Sequence, residues 1–186
     1  MIRLKNNYNN NFLILFSNIT RKIFKGDRLK RLSMGVSDIL KIIYSNKKRK
    51  LSILDYGCGS MDLLKKIQKQ KFIKKITAVD IYSADYRFKK IQYINDKFFF
   101  KKKNKKFDAI VIVDVLHHMG IDDSHKILKK LSKYSNFIIV KDHYEYGFFS
   151  RHLLRFVDFY ANYAYGVTIP KKYFNKNTWI LSYKKA

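Results

Sequence analysis

The chain has 186 residues, 47% of them hydrophobic and 16% aromatic, which excludes disorder as the default and fits one ordinary domain. It carries 40 Lys and Arg against 14 Asp and Glu, a formal net charge of +26. Such a charge indicates either a polyanionic partner (RNA, DNA or an anionic membrane surface) or a bias in codon usage. Only eight of the 40 basic residues are Arg, the usual bidentate phosphate ligand, which favours codon bias.

The single cysteine, Cys58, excludes an internal disulfide framework and a multi-cysteine zinc site, and we expect no metal site. The chain contains no run of 18 apolar residues that would predict a membrane span. The apolar segment 12–16 is too short for a signal-peptide core. These features predict a cytoplasmic protein. The amphipathic segment 12–25 is interpreted either as a peripheral membrane contact or as a helix packed on the domain.

Taken in chain order, the hydrophobic pattern changes from helical spacing to short apolar runs near residue 50. Residues 1–45 are predicted as a polar tail and two packing helices, 12–25 and 28–45, with a break at Lys25–Asp27, and residues 46–186 as the main domain. The domain is predicted to contain strands at 51–55, 76–81, 91–94, 109–116 and 137–140, helices at 61–71, 122–134 and 148–163, a short helix or turn at 82–90, and a charged loop at 101–106. Strands apolar on both faces that alternate with helices indicate an α/β, doubly wound parallel sheet.

A glycine-rich turn, Asp55-Tyr56-Gly57-Cys58-Gly59, ends the first predicted strand and precedes a helix. Glycines allow a tight turn and a close approach of the backbone to a ligand. In an open parallel sheet this turn lies at the carboxyl ends of the strands, where ligands bind. A dinucleotide site would have a third glycine at position 62, but the chain has Asp62 there. Two acids around the turn favour a cationic ligand over a pyrophosphate.

Five ordered motifs resemble those of class I S-adenosylmethionine (SAM)-dependent methyltransferases of the type 11/12-like group, over about residues 50–186. The motifs are LDYGCGS at 54–60, Asp80 after the second strand, YIND with Asp96, FDAIVIVDVLHHM at 107–119, and the tract at 140–174 in which Lys-Asp-His ends the fifth strand. The resemblance implies a mostly parallel Rossmann-like sheet of order 3-2-1-4-5 with helices on both faces. It also implies a C-terminal strand hairpin, for which few residues remain, so we expect a truncated hairpin and an exposed sheet edge that favours oligomerisation.

The resemblance implies SAM as the cofactor and assigns cofactor-binding roles to acidic and glycine residues. Asp55 would meet the ammonium group, Asp80 would accept the ribose hydroxyls, and the remaining cofactor positions are Gly57, Gly59, Asp96 and Asp114. Asp96 is equally well interpreted as a turn residue, and Asp114 as a structural acid. The family usually has glycine at the position of Met61, so we expect Met61 to crowd the cofactor pocket.

Three histidines are the catalytic candidates. His117 and His118 follow the fourth strand, and His143 follows the fifth beside Asp142, so all three are expected at the rim of the same site. The alternative for each is a structural, hydrogen-bonded histidine.

These features together predict a SAM-dependent methyltransferase acting on a small-molecule or lipid-like acceptor. One alternative is an RNA-modifying methyltransferase that uses the basic surface. The other is a non-catalytic, degenerate protein of the same fold, with Met61 and the short C-terminus as the reasons. The chain lacks an Asn/Asp-Pro-Pro-Tyr/Phe motif, which argues against methylation of nucleic-acid bases.

Overall fold

Five parallel strands form the centre of the molecule in the order β3-β2-β1-β4-β5, as the resemblance implied. The computed structural model describes residues 11–81, 88–101, 106–162, 169–170 and 173–185. The strands are β1 (Leu51–Tyr56), β2 (Ile73–Asp80), β3 (Ile91–Asn95), β4 (Ala109–Val113) and β5 (Ile138–Lys141). The helices are α1 (Asn11–Lys47), α2 (Asp62–Ile67), α3 (Asp96–Phe99), α4 (Ile121–Leu131), α5 (Phe148–Asn162) and α6 (Lys176–Lys185).

The sheet is apolar on both faces because consecutive side chains along a strand point to opposite sides. Along β1, Ile53 packs in one hydrophobic cluster with residues of α1 and α2, and the adjacent Leu54 packs in a second cluster with residues of α3, α4 and α6. Along β4, Val111 belongs to the first cluster and Ile110 to the second. The doubly wound α/β fold predicted from the alternating pattern is therefore confirmed.

Helix α1 is continuous, so the predicted break at Lys25–Asp27 is wrong. A glycine inside a helix costs only about 1 kcal/mol relative to alanine, and with no proline nearby the hydrogen-bonding pattern continues through Gly26. The second half of α1 buries Val36, Leu40 and Ile43 in the cluster that also contains Ile53, so it shares the core of the sheet. No helix in the described parts of the chain combines the length and apolar character needed to cross a membrane.

Strand β4 ends at Val113, three residues earlier than the apolar pattern predicted. Asp114 has a φ of 55°, which turns the backbone out of the sheet, and Leu116–His118 forms a 3₁₀ turn. Leu116 is still fully buried, so the hydrophobic pattern extends past the strand. The predicted segments 82–90 and 101–106 lie largely outside the described residues, as does the tail at 1–10.

Met61 precedes α2 in a left-handed conformation, with a φ of 54°. Its side chain is almost completely buried in the hydrophobic cluster that contains Leu40 and Leu64. The left-handed region costs a residue with a Cβ atom about 1–2 kcal/mol, which explains why glycine suits this position, but burial of the methionine offsets that cost.

We expect Met61→Ala to lower the free energy of unfolding by about 2–4 kcal/mol, because it removes a buried side chain and keeps the left-handed strain. Met61→Gly removes the same side chain but relieves the strain, so it should be about 1 kcal/mol more stable than Met61→Ala. Urea unfolding of both variants measures the difference. A Met61→Gly protein less stable than Met61→Ala would contradict the left-handed conformation.

Candidate functional site

A cleft of about 190 Å³ lies at the carboxyl ends of the central strands. Strand β1 pairs with β2 on one side and with β4 on the other, which is the point in a doubly wound sheet where ligands bind. The lining combines the glycine turn and the end of β4 with one side of α1, and it includes Arg28, Leu32, Asp55, Gly57, Asp62 and Asp114.

The glycine turn after β1 is built on two positive φ angles. Gly57 has a φ of 78°, and a Cβ atom there would lie 2.3 Å from Cγ2 of Val115, so no larger residue fits without movement of the backbone or of Val115. Gly59 has a φ of 46°, and a Cβ atom there would meet no atom of the described residues within 4 Å. The Gly59 N–H donates to Oδ2 of Asp80 at 2.8 Å. The structure therefore brings three of the predicted site residues together at one turn.

Asp55 is a buried carboxyl group that faces the cleft. Burial, with a further contribution from the negative charge of Asp80, raises the pKa of Asp55 to about 7. The group is therefore poorly stabilised as an anion in the protein by itself. A cation in the cleft would favour the ionised form, so the chemistry of Asp55 matches a positively charged ligand.

The other two predicted cofactor acids have different surroundings. Asp96 accepts a hydrogen bond from the Tyr56 hydroxyl at 2.9 Å and lies outside the cleft lining. Asp114 lies at the cleft and forms ion pairs with Arg28 of α1 and with Nζ of Lys141, the latter at 2.5 Å. Asp114 therefore connects α1 to the ends of β4 and β5 while one side of it faces the cleft.

Asp142 joins the segments that follow β4 and β5. Its Oδ2 accepts the backbone N–H groups of Leu116 at 2.8 Å and of His117 at 3.2 Å, and its Oδ1 accepts the N–H of His143 at 2.7 Å and contacts Nδ1 of His117. Burial by itself raises the pKa of Asp142, but these hydrogen bonds and the His117 ring outweigh it and bring the pKa below its ordinary value.

His117 and His143 differ in exposure. The His117 ring is fully buried between two acids, with Nδ1 on Asp142 and Nε2 3.5 Å from Oδ2 of Asp158, which also accepts the Tyr173 hydroxyl. The His143 side chain is partly exposed, and its Nδ1 is a buried atom with no hydrogen-bond partner among the described residues, 3.4 Å from Oδ1 of Asp114. Of these two candidates, His143 is the one that an acceptor can approach.

Burial lowers the pKa of His143 below its ordinary value. The carboxylate of Asp114 opposes this shift, whereas the positive charges of Lys141 and Arg28 and the His117 ring add to it. The imidazole is therefore neutral at neutral pH, the form that accepts a proton.

Within the described part of the chain, two groups of side chains bring together donor atoms of the kind that bind metals: His117 with His118 and Asp158, and His117 with Asp142 and His143. In the second group a metal would displace the hydrogen bond between His117 and Asp142. In the first, Asp158 already accepts the Tyr173 hydroxyl. The acid of each group therefore already has a hydrogen-bond partner in the protein.

The expectation that Met61 crowds the cofactor pocket is wrong. Its side chain packs in the core and is not part of the cleft lining, because the left-handed backbone at this position turns the side chain inward.

Sequence reasoning missed Arg28 and Leu32, which reach the cleft from α1, and the buried pair Asp158 and Tyr173. The sequence of α5 contained one signal for this pair. Asp158 is the only acid of the helix and lies among aromatic residues, where a buried carboxylate needs a hydrogen-bond or ion-pair partner.

We expect Gly57→Ala to lower the free energy of unfolding by about 2–4 kcal/mol, because the methyl group meets Val115 and the positive φ is retained. Gly59→Ala is the matched control, with a positive φ but open space, and should cost only about 1 kcal/mol. Denaturant unfolding of the double variant Gly57→Ala/Val115→Ala tests the contact. Strict additivity of the two changes would contradict it.

The family comparison identifies a methyltransferase domain. A family model with that description matches residues 24–167, so the match begins inside α1 and extends beyond α5. No curated protein sequence matches the chain.

Several solved structures are similar in fold. The plantazolicin methyltransferase BpumL, solved with a triazolic desmethylPZN analogue and SAH, has a TM-score of 0.63 and 18% identity over 91% of this chain and 67% of that one. Human N-acetylserotonin methyltransferase, solved with SAM, has a TM-score of 0.58 and 15% identity over 94% of this chain and 49% of that one. The mitomycin 7-O-methyltransferase MmcR has a TM-score of 0.52 and 13% identity over 73% of this chain and 42% of that one.

The chain thus spans about two thirds of the first of these proteins and half or less of the other two. At these identities the structural likeness shows the fold, and the family match covers most of the chain. The chain therefore belongs to the methyltransferase domain family, which confirms the resemblance to class I SAM-dependent methyltransferases.

Proposed function

We propose that the protein binds SAM in the cleft and transfers a methyl group to a small-molecule or lipid-like acceptor. The observation that carries this proposal is the buried carboxyl group of Asp55 at the cleft of a methyltransferase-family chain. A buried carboxylate is poorly stabilised by itself, and a cationic ligand would stabilise it. The names of the similar proteins refer to plantazolicin, N-acetylserotonin and mitomycin, which supports a small-molecule acceptor.

The residues at the glycine turn fit this cofactor. Bound SAM supplies an electrophilic methyl group on a sulfonium centre. Asp55 would bind the ammonium group, and Asp80, fixed by the N–H of Gly59, would accept the ribose hydroxyls. Since no described residue lies within 4 Å of a Cβ at Gly59, the backbone there is open to the cofactor. Asp96 accepts the hydrogen bond of the Tyr56 hydroxyl, which favours a role in positioning the glycine turn over direct contact with the cofactor.

On the acceptor side, we assign the proton-accepting role to His143. Its neutral imidazole can take the proton that a hydroxyl or amine acceptor loses, and its Nδ1 is 3.4 Å from Oδ1 of Asp114, which lines the cleft. His117 holds the strand ends together through Asp142 and is a positioning residue. His118, partly exposed beside it, is the second candidate for contact with the acceptor.

The alternatives receive less support. A second cleft is lined by Lys74, Lys75, Lys89 and Lys90, but these lysines lie where β2 and β3 begin, at the opposite end of the strands from Asp55. RNA bound there would be far from the cofactor cleft, which disfavours an RNA-modifying enzyme. The non-catalytic alternative loses one of its reasons, since Met61 is part of the core.

We expect SAM to bind more weakly as the pH falls below 7. The ammonium group favours ionised Asp55, whose pKa in the free protein is about 7, so each unit of pH below 7 should cost up to about tenfold in affinity. Titration calorimetry between about pH 5.5 and 7 measures this, because a model α-amino group stays protonated in that range.

Asp55→Asn should weaken SAM binding at pH 7 by about 10–100-fold and abolish this pH dependence. It also removes the cost of burying a charge, so the variant should be at least as stable as the wild type at pH 7 and above. Asp62→Asn is the matched control, because Asp62 lines the same cleft but pairs with Lys65, and the pH dependence should persist. Absence of SAM binding by the wild type would refute the proposed function.

We expect radioactive methyl groups from SAM to enter the organic-extractable small molecules of a cell extract. Neither the RNA fraction nor the protein fraction should be labelled. His143→Gln should slow this labelling at least about tenfold while SAM affinity stays unchanged, because the residue contacts the acceptor.

His125→Gln, on α4, is the control for replacing a histidine outside the cleft. This variant should label the small molecules at the wild-type rate. Label recovered in RNA would instead support the RNA-modifying alternative. Labelling that is insensitive to His143 would remove the role assigned to that residue.

A further inference from the structure

Helix α5 exposes an apolar face to solvent. Phe149 is 87% exposed, Leu153 65% and Phe156 59%, and their spacing of four and three residues places them in one stripe along the helix. Phe148, beside them, is 66% exposed. A contiguous exposed patch of this kind marks an interaction surface.

The orientation of α5 is held by polar contacts on its other side. Asp158 is buried and accepts the Tyr173 hydroxyl. Arg151 donates two hydrogen bonds to Glu145, from Nε at 2.8 Å and from Nη2 at 2.7 Å. The helix cannot rotate its apolar stripe inward without breaking these contacts, so the exposure belongs to the folded state.

Helices α5 and α1 each contain more basic than acidic residues. Among the described side chains of α5, the exposed ionisable groups are His152 and Arg155, since the acid Asp158 is buried. Helix α1 packs against α5 and has eight basic residues against two acids, and it exposes Leu15 and Ile19. Helix α5, which carries the apolar stripe, therefore packs beside a basic helix in a chain of net charge +26.

We propose that the exposed face of α5 docks on an anionic lipid surface. Aromatic and leucine side chains enter the interfacial region of a bilayer, and basic residues nearby pair with the phosphates of its headgroups. A second copy of the chain is disfavoured as the occupant, because two proteins of net charge +26 repel each other at close range.

The same helix carries Asp158 on its inner side, 3.5 Å from His117. Docking through α5 would therefore bring the acceptor side of the molecule close to the bilayer, where a lipid-like acceptor is available. This consequence depends on the proposed function, whereas the docking itself does not.

Flotation with vesicles tests the proposal. We expect the wild-type protein to float with phosphatidylcholine vesicles that contain about one third phosphatidylglycerol and to float much less with phosphatidylcholine alone. The variant Phe149→Ser/Leu153→Ser/Phe156→Ser should bind the anionic vesicles at least about tenfold more weakly. Phe98→Ser is the matched control, because Phe98 is 57% exposed on α3, which follows the edge strand opposite β5, and should float as the wild type does.

Three results would overturn the proposal: a wild type that stays unbound, a triple variant that floats as well as the wild type, or a wild type that dimerises without lipid while the variant is monomeric. Circular dichroism and SAM calorimetry on the triple variant separate this inference from the proposed function. Unchanged SAM binding with lost flotation supports lipid docking, and absent SAM binding by the wild type affects only the enzymatic proposal.

Discussion

The central pairing of β1 with both β2 and β4 is the constraint on which the site depends. Because all three strands are parallel, the segments that follow them emerge at one edge of the sheet. The glycine turn after β1, Asp80 at the end of β2 and Asp114 after β4 meet there although up to 59 positions separate Asp55 from Asp114. Gly57 allows these segments to pack closely, because without a side chain the turn can lie against Val115.

Three buried acids near this edge are stabilised in different ways. Asp142 accepts three backbone N–H groups and contacts the His117 ring, and its pKa is lowered. Asp158 accepts the Tyr173 hydroxyl and faces the same ring. Asp55 faces the cleft instead, and burial raises its pKa. The first two hold the fold around the acceptor side, and the third is available to a cationic ligand.

Local patterns predicted the strands well because a strand buried on both faces leaves a short apolar run in the sequence. They failed where backbone geometry and apolar pattern diverge. Leu116 is apolar because a turn buries it, not because β4 continues. Gly26 indicated a helix break, but a glycine costs only about 1 kcal/mol and does not end this helix of 37 residues. Met61 was expected at the cofactor because the family has glycine there, but the positive φ directs its side chain into the core.

The sequence by itself determined the alternation of strands and helices, the glycine turn with its acids, and a net charge carried mainly by Lys, because these are properties of composition and short-range spacing. It also placed His117, His118 and His143 after strands that end at one edge. Tertiary structure alone decided that His117 is buried between two acids while His143 is accessible, and that α1 supplies Arg28 to the cleft. Exposure and ion pairing depend on contacts between residues far apart in the chain. For the same reason, only the folded chain shows that α5 turns its apolar stripe outward beside a basic helix.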